Sequence, residues 1–526
     1  RPRVGDLGAV SMVIALAMAA YAVMASLLGA ARKNPQLVQS GRYATYLTPV
    51  VLAVAIISLV MAFVQHDFSL SYVALHSNRA MEPRYLWVAF YSGNEGSMLF
   101  IAFVLAVMTT LVVATAPRVL RDSLPYTNAI AMVVLTFLLA LMVSLADPFA
   151  RLAVPPPDGR GINPLLTHPG MFVHPPIMMT GLLSVTFPFA FAIGALMARK
   201  VGDEWVDAGR AWGLVAWTIL SLGNLLGAWW AYTILGWGGY WAWDPVENAG
   251  IMAWFPLTAF IHSIMVQKRR GMFRMWNIVL IMVAFALAQY GMFMNRGGPV
   301  PSVHSFAQST MGWSFLIFMG FSIVAPLGVF FMRYKELKSA ASLESTLSRE
   351  AAFLANNFLF LSIAFAILWG VTFPLISEAT KGVPVTVARP YYDQVVGPLL
   401  MALIFFMGVG PLLPWRHANL ASLRKALLFP VAVALGVAAL LLALGMRSPY
   451  AVASFSLCAL VGAGVVREVA LGTWARSRKG ENLILALGRL IAANRPRYGG
   501  YIVHLGIVLL ALGVTASSFF DLQKDA

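Results

Sequence analysis

The sequence predicts an all-α protein, a polytopic transmembrane helical bundle of about 14 spanning helices. Hydrophobic residues make up 60% of the 526 positions and charged residues only 11%, whereas roughly a quarter of residues are charged in soluble proteins. Apolar windows of about 20 residues, the length that a bilayer core of ~30 Å requires, recur along nearly the whole chain. The predicted spans lie near 8–30, 43–65, 98–116, 125–146, 175–198, 211–235, 249–267, 275–295, 311–332, 353–376, 395–414, 427–446, 448–466 and 499–519.

The formal net charge of +16 indicates membrane topology rather than nucleic-acid binding. Of the 37 lysines and arginines, 26 fall in alternate links between the predicted spans, and only 11 fall on the opposite side and at the two termini. Basic residues concentrate on the cytoplasmic side of membrane proteins. The pattern therefore predicts a multi-pass membrane protein with both termini extracytoplasmic.

Cysteine usage limits the redox chemistry that the chain can perform by itself. Cys458 is the only cysteine, so an internal disulfide, a Cys-x-x-Cys pair and a thiolate-bound metal cluster are excluded. We expect Cys458 to be a packing residue. Any redox function then requires a bound cofactor.

The absence of internal repeats predicts a single integral membrane domain over 1–526. Its inner link 468–498 is polar, but part of that link has the apolar spacing of a helix. We therefore expect a helix there that lies along the cytoplasmic membrane surface.

Residues 228–254 form a tryptophan-rich segment that holds six tryptophans and two tyrosines. An interfacial aromatic belt would explain some of these rings. It does not explain the interleaved glycines, which allow the backbone to approach a large flat ligand while neighbouring rings stack on it. We expect a platform for such a ligand, and its candidate residues are Trp237, Trp241, Trp243 and Asp244.

Asp244, Pro245 and Glu247 follow the pattern of a capping box, in which Asp caps the helix, Pro takes its first position and Glu its third. This pattern predicts that the seventh span begins here. Asp244 and Glu247 also remain candidates for a direct acid or base role, since both would face a molecule docked on the segment.

Two histidines within predicted spans lie at matching depths. His262 precedes the basic inner link by six residues, and His504 follows Arg497 by seven, so each lies roughly 10 Å of helix from the inner surface. Imidazole is a common axial ligand of haem iron. The pair would suit a low-spin haem held between two helices, although two separate interhelical hydrogen bonds would explain the same residues.

His174 and His304 flank the tryptophan-rich segment on the outer side and could hold a second haem against it. Taken singly, each could equally be a loop or capping histidine. His66, His76 and His168 share that side, and spacing alone assigns them no function. The polar residues within or beside predicted spans are also left unassigned, namely Asn224, Asn277, Gln289, Asn295 and Arg296.

The stretch WGGYWAWDPVENAG closely resembles the WWD signature of the haem-handling proteins of cytochrome c biogenesis. Together with FVHPP, GGPVPSVHSFA and YGGYIVHLG, it makes the whole chain similar to the CcmF branch of that family. The resemblance implies that His174 and His304 ligate haem on the outer face. It also implies that His262 and His504 bind a haem b in the membrane. Members of the family usually continue into an external domain and a further span, which implies that such a region is missing after Ala526.

The resemblance implies a haem lyase that joins haem vinyl groups to the Cys-x-x-Cys-His of an apocytochrome c. In that family a membrane haem chaperone delivers the haem, other maturation subunits take part, and quinol would reduce the delivered haem through the membrane haem b. Two alternatives stay open on the sequence. One is a haem transporter that forms no bond, and the other is a quinol-oxidising b-type cytochrome.

Overall fold

The structure, a computed structural model, describes residues 4–236, 238–298, 300, 302, 311–339 and 341–520. Within these ranges the chain forms helices and no β-strand, apart from one isolated bridge between Leu70 and Arg151. The chain divides into two compact units, Arg1–Ala341 with Ala364–Arg389, and Ser342–Ile363 with Pro390–Ala526. The all-α prediction is confirmed for the described residues.

The first unit holds the elements that carry most of the candidate site. Its α-helices are α1 (Val4–Ala31), α2 (Pro35–Val64), α3 (Ser71–His76), α4 (Leu86–Ser92), α5 (Asn94–Thr115), α6 (Leu124–Ser144), α7 (His174–Ser184), α8 (Thr186–Met197), α9 (Val206–Ile234), α10 (Pro245–Met252), α11 (Trp254–Arg270), α12 (Arg274–Gly297) and α13 (Gly312–Arg333). Short 3₁₀ turns lie at Pro83–Tyr85, Arg118–Leu120, Pro164–Leu166 and Pro169–Phe172.

The long helix α14 (Arg349–Lys381) contributes residues to both units. The remaining elements of the second unit are α15 (Arg389–Val409), the 3₁₀ turn Gly410–Leu412, α16 (Leu420–Ala443), α17 (Pro449–Ser477), α18 (Leu483–Ala493) and α19 (Arg495–Phe519). Cys458 is buried on α17 against Val461 and Val508, as a small packing residue would be.

Fourteen helical segments of the described chain are long and apolar enough to cross a membrane, which confirms the predicted number. Two of these spans are broken in the middle, which the sequence analysis did not predict. Proline lacks the N–H of a helical hydrogen bond and clashes with the carbonyl four residues earlier. Pro188 therefore leaves the Ser184 carbonyl without its helical N–H donor, and α7 ends at Ser184. Pro256 does the same to the Met252 carbonyl, where α10 ends.

Buried polar side chains join the first helices of the bundle. Asn128 on α6 donates to the Ser26 hydroxyl on α1 at 3.0 Å and accepts a hydrogen bond from Thr45 on α2 at 3.1 Å. All three residues are buried. Hydrogen bonds of this kind stabilise helix association where the hydrophobic effect gives no preference between helix and lipid.

Helices α7 and α9 approach each other closely because glycines line their contact. A Cβ atom on Gly181 would lie 2.7 Å from the Leu220 Cα, and one on Gly223 would lie 2.8 Å from the Met178 Cα. Both distances are shorter than a van der Waals contact, so only glycine fits. This close packing sets the start of α7 beside the C-terminal half of α9, where the tryptophan-rich segment begins.

Candidate functional site

His174 is the first residue of α7, and a carbonyl on α9 holds its side chain. Its Nδ1 lies 3.0 Å from the Gly223 carbonyl oxygen. A carbonyl can only accept, so Nδ1 is the donor, and any metal-ligating role falls to Nε2. The half-buried ring also lies nearly parallel to the indole of Trp230, with a centroid separation of 6.4 Å and an interplanar angle of 15°.

Between the end of α9 at Ile234 and the start of α10 at Pro245, the described residues 235–236 and 238–244 are not helical. Trp241 and Trp243 are half-buried there, with ring centroids 6.0 Å apart and ring planes perpendicular. Trp243 has a positive φ of 60°, and its carbonyl accepts a hydrogen bond from the Asn248 side chain at 2.9 Å. A bulky residue rarely adopts this conformation unless its surroundings hold it.

The predicted capping box at Asp244 and Glu247 is present. The Asp244 carboxylate accepts from the Val246 N–H at 3.0 Å, while Glu247 Oε2 accepts from the N–H groups of Ala242 and Asp244 at 2.9 and 3.2 Å. Both carboxylates therefore fix the backbone between the two tryptophans and α10. Whether either also transfers a proton stays a prediction.

Asp244 has a second contact that the sequence did not indicate. The Ser302 hydroxyl donates to its Oδ2 at 2.6 Å. Ser302 stands two residues before His304 in the sequence, and the capping carboxylate is thus bonded to a residue outside the tryptophan-rich segment. His304 and Trp237 themselves lie outside the described residues.

His262 lies on α11, where its Nδ1 is 2.8 Å from the Thr258 carbonyl oxygen. As with His174, Nδ1 must be the donor, which leaves Nε2 as the nitrogen suited to a metal. His262 is half-buried in the first unit, and His504 is half-buried on α19 in the second. The pairing of these two histidines stays a prediction.

The other histidines predicted on the outer side have contacts that a structural role explains. His168 caps a 3₁₀ turn by accepting the Gly170 N–H at 3.0 Å, and its ring lies 5.3 Å from that of Trp229. His76 bonds the Tyr72 carbonyl through Nδ1 at 2.9 Å. Burial lowers the pKa of His76. His66 follows α2 with a φ of 51° and lies beside Phe68.

Sequence reasoning missed a polar cluster around Arg296 at the C-terminal end of α12. Its guanidinium donates to the Asn94 side-chain oxygen at 3.1 Å and to the Ser97 hydroxyl, and it lies 3.3 Å from the Met179 sulfur. Arg296 is only 5% exposed. An arginine in an otherwise apolar span was the available signal, but its partners on α5 and α7 are about 120 to 200 residues away in the chain.

A second feature that sequence reasoning missed is the packing of the residues that precede α5. The Tyr72 hydroxyl accepts from the Gly93 N–H and donates to the Phe90 carbonyl, both at 3.0 Å. The Tyr91 hydroxyl donates to the Met171 carbonyl at 2.5 Å. Burial raises the pKa of both phenols, so both stay protonated as donors. The Tyr91–Met171 bond joins the links 66–97 and 147–174 near the start of α7.

Known proteins resemble this chain along nearly its full length. A family model described as "Cytochrome C assembly protein" matches residues 91–297. The cytochrome c-type biogenesis protein CcmF of Pseudomonas aeruginosa is 35% identical over 524 residues, 99% of this chain and 78% of that protein. CcmF of Escherichia coli is 32% identical over 529 residues, 100% of this chain and 79% of that protein.

This chain belongs to the CcmF family of cytochrome c-type biogenesis proteins. A solved structure entitled "Cytochrome c Heme Lyase CcmF" superposes with a TM-score of 0.80 at 28% identity, over 99% of this chain and 78% of the other. The residues that match the family model include His174, the tryptophan-rich segment and His262. The resemblance to CcmF inferred from the sequence is thus confirmed.

Proposed function

We propose that this CcmF family member is a haem lyase, which attaches haem to an apocytochrome c on the outer side of the membrane. The observation that carries the proposal is the placement of His174. The Gly223 carbonyl aims its imidazole from the start of α7, beside α9 and the tryptophan-rich segment. The names of the relatives and of the structural counterpart, which include "Cytochrome c Heme Lyase", support this assignment.

The reaction is the addition of two cysteine thiols of the substrate across the two vinyl groups of haem. Each sulfur bonds to the vinyl carbon next to the porphyrin ring, and a proton goes to the terminal carbon, so nothing leaves. The addition needs no net transfer of electrons. Both thiols come from the Cys-x-x-Cys-His of the apocytochrome, because the one cysteine of this chain, Cys458, is 2% exposed in the core of the second unit.

The contribution of the protein is then orientation of two reactants, which can lower a reaction barrier by several kcal/mol, up to about 10. In this proposal His174 and His304 ligate the iron of the substrate haem, and Trp237, Trp241 and Trp243 form the porphyrin platform. Because the rings of Trp241 and Trp243 are perpendicular, one of them stacks on the porphyrin face while the other meets it edge-on. The capping carboxylates Asp244 and Glu247 hold the backbone of this platform. The vinyl groups stay accessible to the incoming thiols.

A resident haem b between His262 and His504 completes the proposal. His262, on the first unit, fits a haem. Its Nδ1 donates to the Thr258 carbonyl, so the Nε2 of this half-buried imidazole is the atom that would ligate the iron. Haem b, when bound, would supply one-electron transfer, and in this proposal its reductant is quinol. The task of the chain is to supply two neutral imidazoles in an apolar setting.

The partners in this proposal are a membrane haem chaperone that delivers the haem, the apocytochrome, and other maturation subunits. The location is the bacterial inner membrane with both termini of the chain extracytoplasmic. The uneven distribution of basic residues supports this orientation.

The experiment that tests the proposal is covalent haem attachment in detergent. The purified chain is mixed with its partner subunits, haem, a reductant and an apocytochrome, and the product is identified by its c-type pyridine haemochrome. A matched substrate with Ser-x-x-Ser-His and the variant His174→Ala should both give no product, while His168→Ala should remain active. Absence of covalent product with the wild type would contradict the lyase and favour haem transport.

A further inference from the structure

Two tryptophans on neighbouring helices each donate an indole N–H to a hydroxyl on the opposite helix. Trp217 on α9 donates to Thr258 on α11 at 2.9 Å, and Trp254 on α11 donates to Ser221 on α9 at 2.7 Å. The two indole rings lie 5.7 Å apart with a tilt of 31°. We call these four residues the indole clasp.

Thr258 is the member of the clasp that reaches His262. Its hydroxyl accepts from Trp217 and donates to the Trp254 carbonyl at 2.6 Å, so the hydroxyl has a defined direction. Its own carbonyl accepts the Nδ1–H of His262 at 2.8 Å. Thr258 is 5% exposed, so water does not replace these partners easily. One residue thus connects the partner helix α9 to the imidazole.

We propose that the Trp217–Thr258 bond positions the imidazole of His262 for haem ligation. Trp217 and Thr258 are then positioning residues. This inference rests on the proposed membrane haem site. Groups that hold the non-ligating nitrogen of a metal-bound histidine fix its tautomer and its ring plane, and their loss typically costs 10- to 100-fold in metal affinity. Here the holding group is a backbone carbonyl, and the Trp217 bond keeps that peptide in place relative to α9.

The Trp254–Ser221 bond provides a matched control within the same helix pair. It has the same chemistry and joins the same two helices. It does not involve the Thr258 hydroxyl. If these bonds only packed α9 against α11, loss of either would have the same effect. If the Trp217–Thr258 bond positions His262, only its loss changes the geometry of the ligand.

The test compares six purified proteins supplied with haem, namely wild type, His262→Ala, Trp217→Phe, Thr258→Val, Thr258→Ser and Ser221→Ala. The readouts are haem affinity and the electron paramagnetic resonance spectrum of the ferric form, whose g-values follow the orientation of the imidazole planes. We expect Thr258→Val and Trp217→Phe to broaden or shift the spectrum and to weaken haem binding about tenfold. Thr258→Ser and Ser221→Ala should match the wild type.

Unchanged spectra and affinities in Thr258→Val and Trp217→Phe would overturn the inference, as would equal changes in Ser221→Ala. Trp217→Phe removes the donor of the same hydrogen bond, whereas Thr258→Val removes its acceptor. The inference can therefore be tested even if Thr258→Val does not fold. A wild type whose haem is absent, or survives His262→Ala, would overturn the haem site and this inference with it. That outcome appears before any variant of the clasp is measured, so the two failures are distinguishable.

Discussion

The imidazole of His174 fills the space that a side chain at position 227 would need. A Cβ atom on Gly227 would lie 2.6 Å from the Cε1 of His174 and 3.2 Å from each ring nitrogen. Gly227 is within α9, one turn after the Gly223 carbonyl that binds Nδ1. One face of α9 therefore provides both the hydrogen-bond acceptor and the room for the ring.

Gly227→Ala should abolish most haem attachment without weakening the helix. Alanine in a helix is usually more favourable than glycine by about 0.5–1 kcal/mol, so a loss of function would come from displacement of the His174 ring. We expect haem binding on the outer side to weaken. The yield of covalent cytochrome c, which is the quantity measured, should therefore fall about tenfold or more. Gly328→Ala on α13, where a Cβ meets nothing within 4 Å, is the control and should keep full yield. Equal yields in both variants would contradict the role of this space.

His262→Ala and His504→Ala should each remove a reducible low-spin haem b from the purified protein. A low-spin haem needs both axial ligands, so loss of either imidazole changes the spin state or releases the haem. The visible spectrum and the pyridine haemochrome of each variant, beside the wild type, measure this. His417→Ala, a histidine with no predicted ligand role, should leave the spectrum unchanged. Haem that persists unaltered in both variants would show that the site is wrong.

Local sequence patterns predicted the spans and the capping box. Hydropathy reveals each span because a membrane requires about 20 apolar residues in a row. The breaks at Pro188 and Pro256 were not predicted, although both prolines are visible in the sequence. Transmembrane helices tolerate proline when neighbouring groups satisfy the freed carbonyls, so whether a helix stops depends on packing.

The sequence also predicted candidate histidines, but not what holds them. The acceptor for His174 is 49 residues away, and the two bonds of the indole clasp span 41 and 33 residues. No local periodicity encodes such pairings, because they depend on which helices become neighbours. Thr258 is the exception, since it lies one turn from His262 on the same helix.

A decrease in pH should destabilise the segment 66–97, which contains His76. Burial lowers the pKa of His76 below its usual 6.5, against the opposing effects of the Tyr72 carbonyl and the Glu95 charge. The unfolded chain therefore binds a proton at a higher pH than the folded chain. The contribution of the neutral ring to stability is present above about pH 6.5 and declines as the pH falls below it. Limited proteolysis of residues 66–97 at decreasing pH should show this, and His76→Asn should reduce the dependence. An equal pH dependence in the variant would contradict it.

Single cysteines should report the orientation of the links. In a Cys458→Ser background, Val154→Cys lies in the outer link 147–174 and Lys479→Cys in the inner link 468–498. Val154 is 83% exposed, so a reagent can reach it. A membrane-impermeant maleimide added to intact spheroplasts should label Val154→Cys and should label Lys479→Cys only after the membrane is opened. The opposite pattern would place the basic links outside and contradict the predicted topology.

Arg296→Met should destabilise the outer end of the bundle. Methionine keeps much of the volume but removes the donors to Asn94 and Ser97, which are themselves buried. Leaving a buried polar group without its partner costs about 1–3 kcal/mol, and more where the lost partner was charged. Thermal unfolding in detergent should therefore show a clear drop.

Arg118→Met is the matched control for this substitution, because Arg118 is exposed in an inner link. Surface substitutions usually change stability by no more than about 0.5 kcal/mol. Arg296→Lys separates charge from geometry. An ammonium keeps the charge but not the planar fork of donors that reaches both α5 and α7, so we expect it to recover only part of the loss. Equal unfolding temperatures for Arg296→Met and Arg118→Met would mean that the cluster does not stabilise the protein and would contradict this prediction.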